Sequence, residues 1–372
     1  MSVRKRKWVT KSGQDREVWI VAYGKGKDRH IKTFERKKDA DDYHAEVCVS
    51  IKAGTHIAPS KAQTVAEAGE AWIAAAEARG LERASIKQYR EHLKLHIAPA
   101  LGPMKLPEVS VGVVRAFEDR LRLKSSPKLT SMILTSLGAI LADAQERGQS
   151  AKNAVRDLRR GRKKRAGDRH KKPLEIGVDI PTPAEVSAIL ANASGRWRPL
   201  IIVAAFTGLR ASELRGLPWA DVDLKANELK VTQRADRYRE IGSPKAVKSR
   251  RTIPFGSFVS NTLKEWKLAC PPNELVFPNS EGKIDFHANI VQRGLIPIVT
   301  KALGEAKYTG LHCFRHFYAS CLIDRGLPPK VIQERLGHAS ITMTFDRYGH
   351  LFPKVNDSEE LGQAELAVVS AT

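Results

Sequence analysis

One segment of the chain, residues 152–172, is so basic that it limits how the rest can fold. It carries eleven Lys and Arg residues against Asp157 and Asp168, a net charge of +9, with few apolar side chains. Because like charges repel and little apolar surface is available to bury, we expect this segment not to pack. The sequence therefore predicts separate folding units on either side of it, in a chain whose 372 residues suffice for two or three domains.

The charge of the whole chain indicates a polyanionic partner. Lys and Arg number 63 against 41 Asp and Glu, giving +22, which favours nucleic acid ahead of an anionic membrane surface. No apolar run approaches the roughly 18 residues of a spanning helix, and Met1 to Lys7 lacks the apolar core of a signal peptide. We therefore expect a cytoplasmic protein, nucleoid-associated in a bacterial host, with no membrane partner.

The cysteines do not form a recognisable framework. No CxxC pair occurs, so disulfides are not expected and a reducing compartment fits. Four of the residues near the C-terminal third, His312, Cys313, His316 and Cys321, invite a zinc interpretation, but their spacing matches no usual zinc pattern. The simpler interpretation is core thiols beside polar histidines, and no metal site is predicted. The four cysteines are Cys48, Cys270, Cys313 and Cys321.

Residues 1–58 have the pattern of a small domain of three strands and a helix. The charge over residues 1–60 is 14 Lys and Arg against 8 Asp and Glu. A basic sheet of this size can lie in a DNA groove, although an ordinary basic surface explains the charge equally well. The predicted strands are Lys7 to Thr10, Glu17 to Tyr23 and His30 to Phe34, and the helix runs from about Lys37 to Ser50.

Residues 62–158 are predicted to form an all-helical domain. Thr64 followed by Glu67 is a capping-box pattern, and no strand pattern appears. Pro99, Pro103 and Pro107 interrupt the middle of the domain. The predicted helices cover 64–79, 83–97, 110–123 and 128–148.

Residues 159–172 then form a basic linker. It is either solvated or held against phosphates, where each neutralised phosphate releases counterions and strengthens binding. We favour phosphate contact, because the linker joins two domains that would grip the same duplex. Its candidate DNA-binding residues are Arg159, Arg160, Arg162, Lys163, Lys164 and Arg165.

The last region, residues 173–372, is predicted to be mixed but mostly helical. Thr182 and Glu185 flank Pro183 as a helix start, and a buried helix from Arg198 to Phe206 is stopped by Gly208. Short strands are expected at 228–232 and 251–255, with helices after residue 256. The fold class is therefore mainly α with small β elements, α+β.

Four short stretches of this last region carry side chains suited to phosphate chemistry. In the first, Thr207–Leu214, Arg210 opens a helix after a glycine and Glu213 follows one turn later. A guanidinium offers a fork of donors that fits phosphate oxygens. The second, Ser243–Pro254, is a basic turn before a strand, and a lysine at its tip could protonate a leaving oxygen.

The third stretch, His312–His316, places His312 and Arg315 on one helix face, where they suit a single phosphate. In the fourth, Leu336-Gly337-His338, the histidine is followed ten residues later by Tyr348. Each stretch alone has an ordinary explanation: an exposed ion pair, a basic hairpin, a structural His–Arg pair and a half-buried core tyrosine.

The combination is more specific than its parts. The motifs TGLRxSEL, a lysine hairpin, HxxRH, LGH and RYGH occur in this order within one region. Their order and spacing resemble the catalytic domain of the tyrosine recombinase family, particularly phage and conjugative-element integrases. The resemblance covers essentially the whole chain and is most specific from about 200 to 352. It implies an arm-type DNA-binding domain at 1–58, a core-binding domain at 62–158, the linker at 159–172 and a catalytic domain with a C-terminal tail at 173–372.

The resemblance also implies a role for each motif residue. Lys245 aligns best with the family's hairpin lysine, and Lys248 is its rival. Cys313 and Phe314 depart from the residues common before the arginine, at positions not expected to touch phosphate. The implied catalytic residues are Arg210, Lys245, His312, Arg315, His338 and the nucleophile Tyr348, with Glu213 in support.

The implied reaction is site-specific DNA recombination without cofactor, metal or ATP. The tyrosine attacks the scissile phosphate to give a 3′-phosphotyrosyl link, and repeated exchange integrates or excises a mobile element or phage genome through a Holliday junction. The implied partners are double-stranded attachment-site DNA and three further copies of the chain, a tetramer in which residues 354–372 pass between protomers. A DNA-bending protein and an excisionase are further candidates.

Three other functions remain to be weighed. A type IB topoisomerase uses the same chemistry without strand exchange, but the separate N-terminal domain disfavours it. A non-catalytic DNA-binding regulator is disfavoured by the intact residue set. A metal-dependent nuclease is disfavoured because no acidic cluster is evident. The attachment sequence itself does not follow from the chain, because side chains facing base edges cannot be placed.

Overall fold

The computed structural model describes residues 2–9, 15–23, 30–52, 62–160, 172–244, 249–353 and 358–370. The chain divides into two units, Met1–Ala166 and Gly167–Thr372, and the boundary falls within the predicted basic linker. Helices dominate and the sheets are small, so the predicted α+β class is confirmed. The finer division of the first unit into an arm-type and a core-binding domain stays a prediction.

The first unit begins with an antiparallel sheet of order β1-β2-β3 and one helix, as predicted. Val21 and Tyr23 of the central strand pack against Ala40 and Val47 of the helix, forming a small separate core. Thr10, the last residue of the first predicted strand, lies outside the described ranges. The elements are β1 (Ser2–Val9), β2 (Asp15–Tyr23), β3 (His30–Phe34) and α1 (Lys37–Lys52).

The rest of the unit is a helical bundle around its own apolar core. The predicted capping box is confirmed: Oγ1 of Thr64 accepts from the Glu67 amide at 3.2 Å, and the Thr64 amide donates to Oε2 of Glu67 at 2.7 Å. A π-helical turn, Leu93–Ile97, carries the chain past Pro99, which lacks an amide hydrogen. The helices are α2 (Val65–Ala78), α3 (Arg83–His92), α4 (Ala98–Leu101), α5 (Val111–Lys124), α6 (Pro127–Glu146) and α7 (Ala154–Arg160).

The expectation that residues 152–172 do not pack is wrong for their first part. Ala154, Val155 and Leu158 of α7 are buried against α5 and α6. Asn153 caps this helix: its Oδ1 accepts from the backbone amide of Arg156 at 3.1 Å. Its side-chain nitrogen Nδ2 donates to the Gly138 carbonyl at 2.8 Å. Three apolar side chains on one face are enough to pack a two-turn helix against its neighbours. Residues 161–171, the rest of the basic segment apart from Lys172, lie outside the described ranges.

The second unit encloses a larger apolar core. Its elements are α8 (Pro183–Asn192), α9 (Trp197–Thr207), α10 (Ala211–Arg215), β4 (Val222–Asp223), β5 (Glu228–Val231), β6 (Arg234–Ala235), β7 (Ile241–Gly242), β8 (Arg251–Pro254), α11 (Ser257–Ala269), α12 (His287–Asn289), α13 (Ile296–Leu303), α14 (His312–Asp324), α15 (Pro329–Leu336), α16 (Ile341–Tyr348) and α17 (Ser358–Val369). Of these, the short strand β4 and the β6–β7 hairpin were not predicted.

Two helices of this unit set the position of the later site. Residues 200–205 of α9 are buried at every position, so this helix runs through the core, and α14 packs along it. The two predicted strands pair antiparallel as β5 and β8, with Leu229 opposite Ile253 and both side chains fully buried. The predicted helix start at Thr182 is confirmed by reciprocal bonds with Glu185.

None of the described helices combines the length and the apolar character needed to cross a lipid bilayer.

Candidate active site

Arg210 is fixed where the chain reverses between α9 and α10. Gly208 ends α9 in the left-handed region at φ 61°, and a Cβ there would lie 2.4 Å from the Tyr318 ring, so only glycine fits. Arg210 then caps α10: its amide donates to Oε2 of Glu213 at 2.9 Å and its Nη1 to Oε1 at 2.7 Å. The arginine predicted from the TGLR motif is thereby held by the predicted acid.

Glu213 is buried, 3% exposed, and it serves two arginines rather than one. Arg251, the first residue of β8, donates from Nη2 to Oε2 at 2.8 Å and from Nη1 to Oε1 at 3.1 Å. Burial alone would raise the pKa of Glu213, but Arg251 first and Arg210 second lower that pKa to about 2. The carboxylate is therefore ionised at neutral pH, and the three groups together keep one net positive charge.

Arg315 lies in the first turn of α14 and is 2% exposed. Its Nη1 donates to the Gly208 carbonyl at 2.7 Å, and its Nη2 donates to the Leu336 carbonyl. Burial, with Arg210 adding to it, lowers the pKa of Arg315 to about 9, so the guanidinium stays charged at neutral pH. Arg315 thus joins the ends of α9 and α15, the same two turns that Arg210 joins by donating to the Gly337 carbonyl at 2.8 Å.

His338 follows the left-handed Gly337 that ends α15 at φ 62°. Its Nδ1 lies 2.9 Å from Oγ1 of Thr344, and its carbonyl accepts from Nε2 of Gln333 at 3.0 Å. Burial, then Arg315 and Arg210, lower the pKa of His338 to about 3, so the imidazole is neutral. The ring is parallel to that of Tyr348, 6° between planes with centroids 6.3 Å apart.

Tyr348 ends α16 and is 1% exposed. Its phenol oxygen lies 2.8 Å from Nδ1 of His316. Burial raises the pKa of Tyr348 to about 12, so the phenol is protonated and needs a proton acceptor before it can act as a nucleophile.

Two histidines lie one helical turn apart beside this phenol. The rings of His312 and His316 meet edge to face with centroids 4.7 Å apart, and His316 is the one that contacts Tyr348. Burial, then His312, lower the pKa of His316 to about 3. Although part of His312 reaches solvent, desolvation of its ring and the charge of Arg315 lower its pKa as well. Both imidazoles are neutral at neutral pH and able to accept a proton.

The lysine predicted to protonate the leaving group falls outside the described residues, as does its rival: Lys245 and Lys248 both lie in the gap at 245–248. The flanks of the gap are described. The Ser243 carbonyl accepts from Nε of Arg234 at 3.0 Å, and Ser249 is buried two residues before the start of β8. The choice between the two lysines stays open.

Known proteins share the sequence region that carries this site. The model of the phage integrase family matches residues 181–354, which include every described site residue. A protein named tyrosine recombinase XerC-like, from Caldanaerobacter subterraneus subsp. tengcongensis, is 26% identical over 371 residues, covering 91% of this chain and 94% of its own. The region of residues 181–354 therefore matches the phage integrase family, and the chain is similar to a tyrosine recombinase over most of its length.

Solved structures share the fold of this recombinase. An integrase of transposon Tn1549, in complex with a circular intermediate DNA, aligns with TM-score 0.64 and 21% identity over 82% of this chain and 99% of its own. A lambda integrase tetramer bound to a Holliday junction aligns with TM-score 0.56 and 15% identity over 90% and 96%. These matches support a tyrosine-type site-specific recombinase that acts on DNA.

The structure brings together six of the residues that the motifs singled out. They come from the start of α10, the first turn of α14, the turn after α15 and the end of α16: Arg210, Glu213, His312, Arg315, His338 and Tyr348. Of the basic linker residues, Arg159 and Arg160 end α7 in the first unit, and the other four lie outside the described ranges.

Sequence reasoning missed Arg251 and gave His316 no role. A signal for Arg251 existed: side chains alternate along a strand, so Arg251 shares the face of the fully buried Ile253. A charge on a buried strand face needs a partner. For His316 the signal was its i+4 spacing from His312.

Across the described parts of the chain, no three His, Cys, Asp or Glu side chains converge as metal ligands. The four cysteines, all within the described ranges, form no disulfide, and burial raises the pKa of Cys313 to about 12, which keeps its thiol protonated.

Proposed function

We propose that this recombinase integrates and excises a mobile element or phage genome by cutting and rejoining attachment-site DNA through a covalent bond to Tyr348. One observation carries the proposal: the phenol lies 2.8 Å from a neutral imidazole and parallel to a second one, next to a buried cluster of arginines with a net positive charge. That set suits nucleophilic attack on a phosphodiester.

In the proposed step, the phenol oxygen of Tyr348 forms a bond to phosphorus while the bond from phosphorus to the 5′-oxygen breaks. The phenol proton passes to an imidazole, and the 5′-oxygen leaves as a hydroxyl after taking a proton from Lys245 or Lys248. The 3′-phosphotyrosyl link keeps the phosphoester bond energy, so no nucleotide cofactor is needed. Attack by the 5′-hydroxyl of a partner strand reverses the step and exchanges the strands.

The arginines supply the electrostatic part of catalysis in this proposal. Arg210 and Arg315 bind the non-bridging oxygens, whose charge grows in the transition state, and His338 adds a hydrogen bond. Both guanidiniums already have fixed directions, so little reorganisation is needed when the phosphate arrives. Positioned arginines provide the charge that divalent metals provide in other phosphoryl-transfer enzymes, and we expect activity in the presence of chelators.

Two histidines are candidates to accept the phenol proton of Tyr348. The motif resemblance favours His312, whereas the contact to the phenol oxygen favours His316. The 1% exposure of Tyr348 means that α16 has to shift before the oxygen can reach a phosphate. Such a shift can carry the phenol from one imidazole towards the other, so both residues are kept as candidates.

The remaining parts of the chain would hold the DNA. In this proposal the helical domain at 62–158 and the arm-type domain at 1–58 bind duplex, and the basic linker at 159–172 contacts phosphates between the helical domain and the catalytic domain. A tetramer on two sites, with α17 passed between protomers, completes the assembly. A DNA-bending protein and an excisionase are possible partners, and the expected location is the bacterial cytoplasm and nucleoid.

The test is formation of a covalent adduct on a nicked attachment-core substrate, with DNA taken from the flanks of the gene. The parent chain should form an adduct that survives a denaturing gel, persists in EDTA and disappears in Tyr348→Phe. Tight binding without an adduct would favour a DNA-binding regulator. Adducts that relax supercoils but never exchange strands between two sites would favour a topoisomerase.

A further inference from the structure

Arg251 occupies an unusual place between the proposed phosphate-binding groups and the undescribed lysine segment. It is the first residue of β8, its partner across the ladder is Val231, and its side chain is 5% exposed. A buried guanidinium at the end of a surface-reaching strand costs desolvation free energy unless its donors are matched by acceptors.

All three nitrogens of this guanidinium are used. Nη2 and Nη1 donate in parallel to the two oxygens of Glu213, at 2.8 and 3.1 Å. Nε donates to the Arg335 carbonyl at 2.7 Å, and Nη1 also donates to the Ser249 carbonyl at 3.0 Å. One rigid fork therefore joins α10, the last turn of α15 and the edge of the lysine segment.

The bonds from Arg251 to Glu213 determine the net charge around Arg210. A buried carboxylate facing Arg210 alone would pair with it and cancel its charge. Because Arg251 binds the same carboxylate on both oxygens, the trio keeps a net charge of one, available to a phosphate. The charge on Glu213 is thus shared between two guanidiniums, so Arg210 keeps its fixed 2.7 Å bond to Oε1 while a net positive charge remains.

The same side chain supports the turn that carries His338. A Cβ on Gly337 would lie 2.9 Å from Nη1 and 3.1 Å from Cδ of Arg251, so the backbone of this turn rests directly on the guanidinium. The Gly337 carbonyl accepts from Arg210, and the next residue is His338. Arg251 therefore contacts the turn that positions both Arg210 and His338, the two side chains proposed to bind the phosphate.

We propose that Arg251 is a positioning residue of this recombinase: it holds Glu213 and the Gly337 turn so that Arg210 and His338 meet the scissile phosphate. This proposal rests on the proposed function. Arg251 acts through the phosphate-binding groups and not through the leaving group, although its strand adjoins the lysine segment.

The test measures adduct formation at saturating DNA on two forms of the attachment-core substrate, one with the natural 5′-oxygen and one with sulfur in the bridging 5′ position. A 5′-thiolate leaves without a general acid, so sulfur rescues only defects in leaving-group protonation. Arg251→Gln should slow adduct formation about 100-fold on both substrates, because transition-state charge stabilisation is reduced. Arg251→Lys, which restores the charge without the fork, should be about tenfold slow.

Controls keep the result interpretable. Arg250→Met removes a charge from the exposed neighbour and should leave the adduct rate at saturating DNA unchanged. Melting curves and the Kd for the core DNA identify misfolded variants. Because both Arg251→Gln and Arg251→Lys are measured, the test does not depend on the folding of a single variant.

Three outcomes would overturn the proposal: a folded Arg251→Gln that reacts at the parent rate, rescue of that variant by the sulfur substrate, or an equal loss in Arg250→Met. Absence of an adduct with the parent chain would instead overturn the proposed function.

Discussion

Nδ1 of His316 lies 2.8 Å from the phenol oxygen of Tyr348, and the two residues belong to different helices 32 positions apart. The contact is enclosed: the tyrosine is 1% exposed and the histidine 8%. The family resemblance directs attention to His312 one turn earlier, so this contact gives the two histidines separable predictions.

We expect His316→Gln to lower the adduct rate at saturating DNA by about 100-fold, the usual effect of losing a positioned proton acceptor. His312→Gln should cost less. His350→Gln, at an exposed position two residues after Tyr348, is the control and should react at the parent rate. If His312→Gln is the slower variant and His316→Gln reacts normally, the contact to His316 belongs only to a resting arrangement and the motif-based assignment of His312 stands.

The buried histidines should make the fold sensitive to acid. The pKa of His316 and of His338 is lowered from 6.5 to about 3, so the unfolded chain binds protons that the folded chain refuses. Their contribution to stability is complete above pH 6.5 and is lost as the pH falls towards 3. By linkage, each histidine removes about 2 kcal/mol between pH 7.5 and 5.

Denaturant unfolding at these two pH values measures the effect. The double variant His316→Gln, His338→Gln should lose a large part of the pH dependence, and the lowered pKa of His312 accounts for a remainder. Glu213 does not confuse the result, because its pKa of about 2 places its loss of stabilisation at more acidic pH. An unfolding free energy that is equal at pH 7.5 and 5 in the parent would contradict this prediction.

Gly337 should matter for chemistry beyond its backbone conformation. Gly337→Ala and Gly326→Ala both place alanine at positive φ, 62° and 69°, and each should cost about 1 kcal/mol of stability. Only the first also brings a Cβ to 2.9 Å from Arg251, whereas space around Gly326 is open.

The adduct rate should therefore fall about 100-fold in Gly337→Ala alone, because displaced phosphate-binding groups are costly. Rate measurements at saturating DNA, with melting temperatures for both variants, check this. Equal rates in the two variants would show that the turn tolerates displacement.

The basic linker should account for part of the salt dependence of DNA binding. Replacing Arg162, Lys163, Lys164 and Arg165 by Gln should reduce the slope of log K against log salt by up to about 3.6, since each phosphate contact contributes about 0.9. The Kd for core DNA across a salt series measures the slope. A variant with Arg and Lys exchanged at the same positions should keep the parent slope, and an unchanged slope in the Gln variant would leave the linker solvated.

The fold could be predicted where the signal is local. Capping boxes at Thr64 and Thr182 and the stop at Gly208 follow from side-chain chemistry within four residues, and the structure confirms them. The packing of helix α7 could not be predicted. Its charge suggested a solvated segment, whereas its apolar face packs against α5 and α6, which are earlier helices of the same unit. Composition over a window averages away the three apolar residues that decide packing.

The sequence alone determined that the chain carries the ordered motifs of a tyrosine recombinase, because spacing along helices and turns is a local property. The tertiary structure decided which groups share one environment. Glu213 lies between Arg210 and Arg251, and the phenol of Tyr348 contacts His316, through contacts spanning 38 and 32 positions. Burial sets the pKa values there, and burial is a property of the packed core that no stretch of sequence contains by itself.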